Sequence, residues 1–191
     1  FMLSDPVKTE YRKLKELKGD PDPDIASLAN CLQVYTPGNE TLSPSRFNPL
    51  EIPPGVARDE HIENILGCFT AAMPLSGPLP AILLEALERV YEAYPDPNWP
   101  PTIADLDEAA KAALASKGYS PETNSDIRAA LEVRIGRLTR GNIGKAFQCR
   151  HSVPSIEYLM TVPSVIELNR LSGEQACLYM LFVLNAVRET V

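Results

Sequence analysis

The chain has 191 residues, is 45% hydrophobic and 23% charged, and carries a formal charge of −7. That balance suits a folded globular unit and excludes a protein that coats nucleic acid by bulk positive charge; contact with DNA would need a local basic patch. The longest apolar run, near 176–184, is well short of the roughly twenty residues of a membrane span. The first residues lack the basic stretch and apolar core of a secretory signal. Cys31, Cys68, Cys149 and Cys177 form no C-x-x-C pair, and there are only two histidines. Free thiols in a cytoplasmic protein, with no metal site, are the expectation.

In chain order, residues 1–5 read as a buried strand running into the polar turn Asp5-Pro6-Val7-Lys8-Thr9-Glu10-Tyr11. This places Asp5, Lys8 and Glu10 at the carboxyl end of a strand, the edge where open α/β sheets hold ligands. A solvated turn capping a helix from Thr9 is the plainer alternative. Leu32-Gln33-Val34-Tyr35 reads as a second strand, stopped by the turn signal Thr36-Pro37-Gly38-Asn39. Prolines cluster at 21–23, 44–54, 74–80 and 95–101, which marks rigid joints. Arg46-Phe47-Asn48-Pro49-Leu50 is short and extended.

The character then turns helical. Asp59 is a candidate N-cap ahead of Ile62, Ile65, Leu66 and Phe69. Residues 79–94 repeat the spacing, Thr102-Ile103-Ala104-Asp105 is a capping-box variant, and Ser120-Pro121 opens a helix that runs to Arg140-Gly141. Residues 164–168 read as a strand, and Ser172-Gly173-Glu174-Gln175 opens a last, nearly all-apolar helix. Sheet-like pieces thus lie at the two ends, with roughly a hundred helical residues between them.

Arg134 falls inside the apolar arc of Ile127, Leu131, Ile135 and Leu138, so it must be paired, snorkel, or face another subunit. An ion pair with Glu85 or Glu88 is the plain reading. Arg134, Arg137, Arg140, Lys145 and Arg150 make a basic stretch in an acidic chain, loosened by Gly141 and Gly144. It could contact phosphates, or Arg137 and Arg140 could simply favour a helix C-terminus. His61 reads as a surface or cap histidine, His151 with Cys149 cannot assemble a tetrahedral metal site, and Trp99 reads as an aromatic packing a proline joint. No nucleophile-elbow sequence supports a Ser/His/Asp triad.

Several stretches together resemble the HerA/FtsK branch of P-loop ATPases. Asp5-Pro6-Val7-Lys8-Thr9-Glu10-Tyr11 is similar to the family's second core strand, and Phe47-Asn48-Pro49-Leu50-Glu51-Ile52-Pro53-Pro54-Gly55 resembles the Asn-Pro-Leu segment entering its helical subdomain. Residues 130–138 with Gly141, Gly144 and Phe147 resemble its Arg-Leu…Gly…Gly…Phe stretch. Residues 164–187 resemble the strand and helix before the Walker B strand. The resemblance spans nearly the whole chain in the family's order, but neither G-x-x-x-x-G-K-[ST] nor an apolar strand ending in paired acids is present.

The resemblance implies an α/β fold: partial RecA-like, P-loop NTPase core strands at both ends around a large, mainly helical insertion. The divisions would be 1–50 (partial core), 51–160 (helical subdomain) and 161–191 (strand and helix rejoining the core). It implies a piece of a cytoplasmic, hexameric, ATP-driven DNA translocase or helicase, which forms a ring and works with DNA and a nuclease partner, away from membranes. ATP and Mg²⁺ would bind the intact parent, while this chain alone would bind no cofactor and not hydrolyse ATP. Asp5 and Lys8 would lie at the nucleotide, Glu10 would orient water, Arg134 would reach a neighbouring subunit's γ-phosphate, and Arg137, Arg140 and Lys145 would touch DNA. A non-catalytic helical interaction module, docking through apolar helices 62–94 and 176–187, is the alternative.

Overall fold

A computed structural model describes residues 2–5 and 9–191. It is mostly helical around a small parallel sheet. The strands are β1 (Met2–Asp5), β2 (Gln33–Tyr35) and β3 (Ser164–Glu167), in the order β1-β3-β2. β3 therefore sits centrally, with Asp5 of β1 in register with Glu167 and Tyr35 of β2 in register with Ile166. All four residues of β3 are buried, as expected of a strand paired on both sides.

A 3-10 helix, Glu10–Gly19, follows β1, and α1 (Pro23–Cys31) leads into β2. The proline joint at 21–23 thus opens an unforeseen helix: Asp22 caps it by accepting from Asp24 N–H at 2.9 Å, and Pro23 takes the first helical position. Between β2 and β3 come α2 (Arg58–Ala72), α3 (Leu79–Ala93), α4 (Ile103–Ala115), α5 (Pro121–Arg134), α6 (Gly141–Phe147) and α7 (Ile156–Thr161). After β3 runs α8 (Gly173–Thr190).

Local signals explain most of these helices. Thr102 Oγ1 accepts from Asp105 N–H at 3.3 Å and Asp105 Oδ2 accepts from Thr102 N–H at 2.8 Å, a reciprocal box that starts α4. Gln175 Oε1 accepts from Ser172 N–H at 3.2 Å at the head of α8. In α3, Leu79, Ile82, Leu83, Ala86, Leu87, Val90 and Tyr91 are buried along one stripe.

Two boundaries differ from expectation. α2 begins at Arg58 with Ala57 as its cap residue, so Asp59 lies in the first turn, where its charge suits the helix dipole. The helix from Ser120 ends at Arg134 and gives way to a 3-10 turn, Gly136–Thr139, before α6. Gly144 explains the break: a Cβ there would lie 2.5 Å from the Thr139 carbonyl, so α6 folds back tightly on the turn. Glycine here permits close packing and does not loosen the backbone.

One main core runs from Phe47 to Ala186, joining α2, α3, α4, α7 and α8 to one face of the sheet through Ile166. The other face carries a small cluster, Leu32, Val34 and Val165, covered by Tyr11 and Leu14 of the first 3-10 helix. The buried faces of α2, α3 and α8 all belong to this one core. Among the described residues no helix is long and apolar enough to cross a membrane.

Candidate functional site

Parallel pairing aligns the carboxyl ends of all three strands, so Asp5, Glu167 and Thr36 share one edge of the sheet. Residues alternate across a strand; Val165 faces the first 3-10 helix, Ile166 faces the main core, and Glu167 returns to the 3-10 side. There Arg12 Nε donates to Glu167 Oε2 at 2.8 Å. The same guanidinium reaches Thr36 Oγ1 at 2.5 Å and Ser43 Oγ at 3.3 Å. Thr36 Oγ1 in turn donates to Glu167 Oε2 at 3.1 Å. Arg12 thereby ties the element after β1 to the ends of β2 and β3.

Glu167 is only 1% exposed, and among the described residues no donor reaches its second oxygen, Oε1. A buried acceptor left unmatched is costly, by about 1–3 kcal/mol. The Arg12 guanidinium and two hydroxyls satisfy one another and Oε2, so this one oxygen stands apart.

A second concave feature lies where the Asn-Pro-Leu segment meets residues 151–157. A cavity of about 660 Å³ is lined by Glu51, His151, Ser152 and Ser155 among others. Most of its polar groups are paired within the structure. Glu51 takes His151 Nδ1 at 2.8 Å and Ser152 N–H at 2.9 Å, while His151 Nε2 contacts Asn98 O at 3.2 Å. Buried Asn48 donates to Pro101 O at 2.8 Å and Arg150 O at 2.7 Å, and accepts from Leu50 N–H at 3.0 Å. This network joins the loops around the cavity, while the exposed carboxylate of Glu157 at its rim has no partner among the described residues.

Neither a protein-family model, nor a curated protein, nor a solved structure matches the chain. Its site is therefore read from its own geometry.

Of the sequence-predicted residues, Asp5 sits at the carboxyl end of β1 in register with Glu167. Lys8 lies outside the described residues. Glu10 opens the first 3-10 helix and is exposed. Arg134 Nε donates to Pro74 O at 3.1 Å and its Nη1 to Ala130 O at 3.2 Å, tying the end of α5 to the α2–α3 connection. The expected ion pair with Glu85 or Glu88 does not form: Glu85 is engaged by Arg89 at 2.6 Å and by Lys117, and Glu88 is exposed, away from Arg134. Arg137 pairs with Glu174 at 3.8 Å and Arg140 with Glu132 at 2.7 Å, both on the surface. Lys145 is exposed with no acidic partner among the described residues.

His61 and Trp99 also differ from expectation. His61, expected at the surface, is 1% exposed because α8 crosses the start of α2 and Glu189 meets its ring. Trp99 remains exposed, with the Arg150 guanidinium 4.5 Å from its ring centre. Sequence reasoning missed Arg12, Thr36 and Ser43, and weighed Glu167 only as part of a resemblance. An acid at the end of the apolar run Ser164-Val165-Ile166 was the available signal: a charge there must find a partner.

Proposed function

We propose that this chain is the central part of a HerA/FtsK-type P-loop ATPase that drives DNA movement as a ring. The supporting observation is the in-register pairing of β1 with β3. It joins segments about 160 residues apart in one parallel sheet (Asp5 against Glu167), with the helical segment between them. The resemblance expects that arrangement of strands and insertion. The carboxyl edge so formed is where a nucleotide would lie.

The 191 residues contain no phosphate-cradling loop of the G-x-x-x-x-G-K-[ST] kind. The chain's own contribution on this reading is the sheet edge, with Asp5 and Glu10 beside the nucleotide, Arg134 directed to a neighbouring subunit, and Arg137, Arg140 and Lys145 toward DNA. Arg134 would have to exchange its two carbonyl partners for phosphate. The isolated chain is expected to show no Mg²⁺-dependent ATP turnover, whereas a longer protein containing it with a phosphate loop is expected to hydrolyse ATP and to respond to DNA. Turnover by the pure 191-residue chain, or failure of the longer protein to bind ATP, would overturn the reading.

A further inference from the structure

The Asn48-Pro49-Leu50 segment, the proline joint at 95–101 and residues 151–157 meet around the cavity of about 660 Å³. That volume is the size of a small-molecule site. One wall is apolar and continuous with the protein interior: Ile156 belongs to the main core, and Ile52 packs against it. Pro53, Pro54 and Pro97 also line the cavity. Their rings fix the backbone there, which limits the ordering that a ligand has to impose.

The formal charge of the lining has one sign. Glu51 and Glu157 are its carboxylates, and among the described residues no lysine or arginine lines it. Glu51 is engaged by His151 Nδ1 at 2.8 Å and by Ser152 N–H at 2.9 Å. Glu157, in the first turn of α7, is exposed and has no partner among the described residues. With a proton on both nitrogens of His151 the lining keeps one uncompensated negative charge, and with a neutral ring it keeps two. An anion is repelled in either state. A lone exposed glutamate is an ordinary solvated group, but here it borders an apolar wall. A ligand that places a cation at the rim and a hydrocarbon stem on that wall gains from both.

We infer that this cavity binds a small organic cation with an apolar stem, an alkylguanidinium or alkylammonium. Its charged group lies against Glu157, with Glu51 adding to the negative field, and its stem lies on Ile52, Pro97 and Ile156. The site shares no residue with the edge cluster of Arg12, Thr36, Ser43 and Glu167. It is therefore independent of the nucleotide reading.

The test is an amide-resonance titration of the isotope-labelled chain with butylguanidinium, methylguanidinium and butylurea. Butylurea keeps the shape and the stem without the charge; methylguanidinium keeps the charge with little stem. The expected result is a saturable shift at the amides of Ser152, Ile156 and Glu157 with butylguanidinium. Butylurea should bind about threefold more weakly, as for the loss of one exposed ion pair. Methylguanidinium should bind about tenfold more weakly, for the methylenes it lacks. Glu157→Gln alters an exposed side chain without a partner among the described residues, so the fold should persist while the preference for butylguanidinium over butylurea narrows. Equal binding of those two probes to the unaltered chain overturns the cation assignment, and a preference unchanged in Glu157→Gln overturns Glu157 as its anchor. Equal binding of methylguanidinium, or shifts spread over the acidic surface, overturns the assignment to this cavity. No saturable shift at the three amides with any probe overturns the inference.

Discussion

His61 Nδ1 lies 2.7 Å from Glu189 Oε2, fastening the first turn of α2 to the last turn of α8. The histidine's Nε2 contacts Pro49 O at 3.2 Å, and Glu189 Oε1 accepts from Asn64 at 2.8 Å and Asn185 at 2.9 Å. Both side chains of the pair are almost wholly buried, at 2% and 3% exposure. Removing one partner leaves the other without compensation, so His61→Ala is expected to destabilise the fold by about 3 kcal/mol. Urea unfolding with an unchanged midpoint would show that the knot carries no stability.

The same carboxylate should make the fold acid-sensitive. Burial pushes the Glu189 carboxyl up, but hydrogen bonds and charge from His61, with Asn64 and Asn185, outweigh it and hold the group below its ordinary value of 4.5. A carboxyl with a lower pKa when folded binds protons more tightly when unfolded, so its stability contribution is present above pH 4.5 and lost as pH falls below it. Glu189→Gln should be less stable at neutral pH yet show a shallower loss on acidification. Parallel acid-unfolding curves for the two proteins would contradict this.

Gly38 and Gly144 should resist substitution for steric reasons. Gly38 has φ +78°, and a Cβ there would lie 2.7 Å from Asn142 O; at Gly144 a Cβ would lie 2.5 Å from the Thr139 carbonyl. Alanine at either position is expected to destabilise by about 1–3 kcal/mol. Gly19, with open space around it, should accept alanine within about 0.5 kcal/mol. Thermal unfolding of the three variants gives the ranking directly.

Trp99 is the chain's one tryptophan, and its ring carries Arg150 at 4.5 Å, with Tyr94 5.1 Å from the same guanidinium. Arg150 also donates to Pro100 O at 2.7 Å and stands 3.6 Å from Asp105 Oδ2. Arg150→Met should shift Trp99 emission and lower stability by about 1 kcal/mol. An unchanged spectrum would mean the stack does not persist in solution.

Much of the architecture was legible because its signals are local. The caps at Thr102, Ser120 and Ser172 mark helix starts by supplying partners to amides that have none within the helix. The apolar stripe of α3 and the short runs at 33–35 and 164–167 fall where periodicity places them. The break after Arg134 was not legible, because it depends on α6 folding back over Thr139 at Gly144. Asp22-Pro23 carried a helix-start signal, but the proline cluster around it read more strongly as a joint.

The edge cluster was half legible. Asp5 was placed at the end of a strand by the turn that follows it, and the structure sets it there in register with Glu167. Arg12, Thr36, Ser43 and Glu167 are separated by up to 155 residues, and no spacing rule links side chains so far apart. The Asn48-Pro49-Leu50 segment shows the same limit. It reads as a short extended linker, yet Asn48 holds Pro101 and Arg150, Pro49 O meets His61, and Leu50 O accepts from Tyr91 at 2.9 Å.

By itself the sequence determined where most helices and strands begin, because capping, proline chemistry and hydrophobic periodicity act within a few residues. It also determined the acidic charge. Only the tertiary structure decided that both ends of the chain share one parallel sheet, that His61 lies inside, and that Glu167 is buried with one oxygen unmatched. Those outcomes depend on which surfaces meet, and burial then sets the energetic weight of every polar group caught between them.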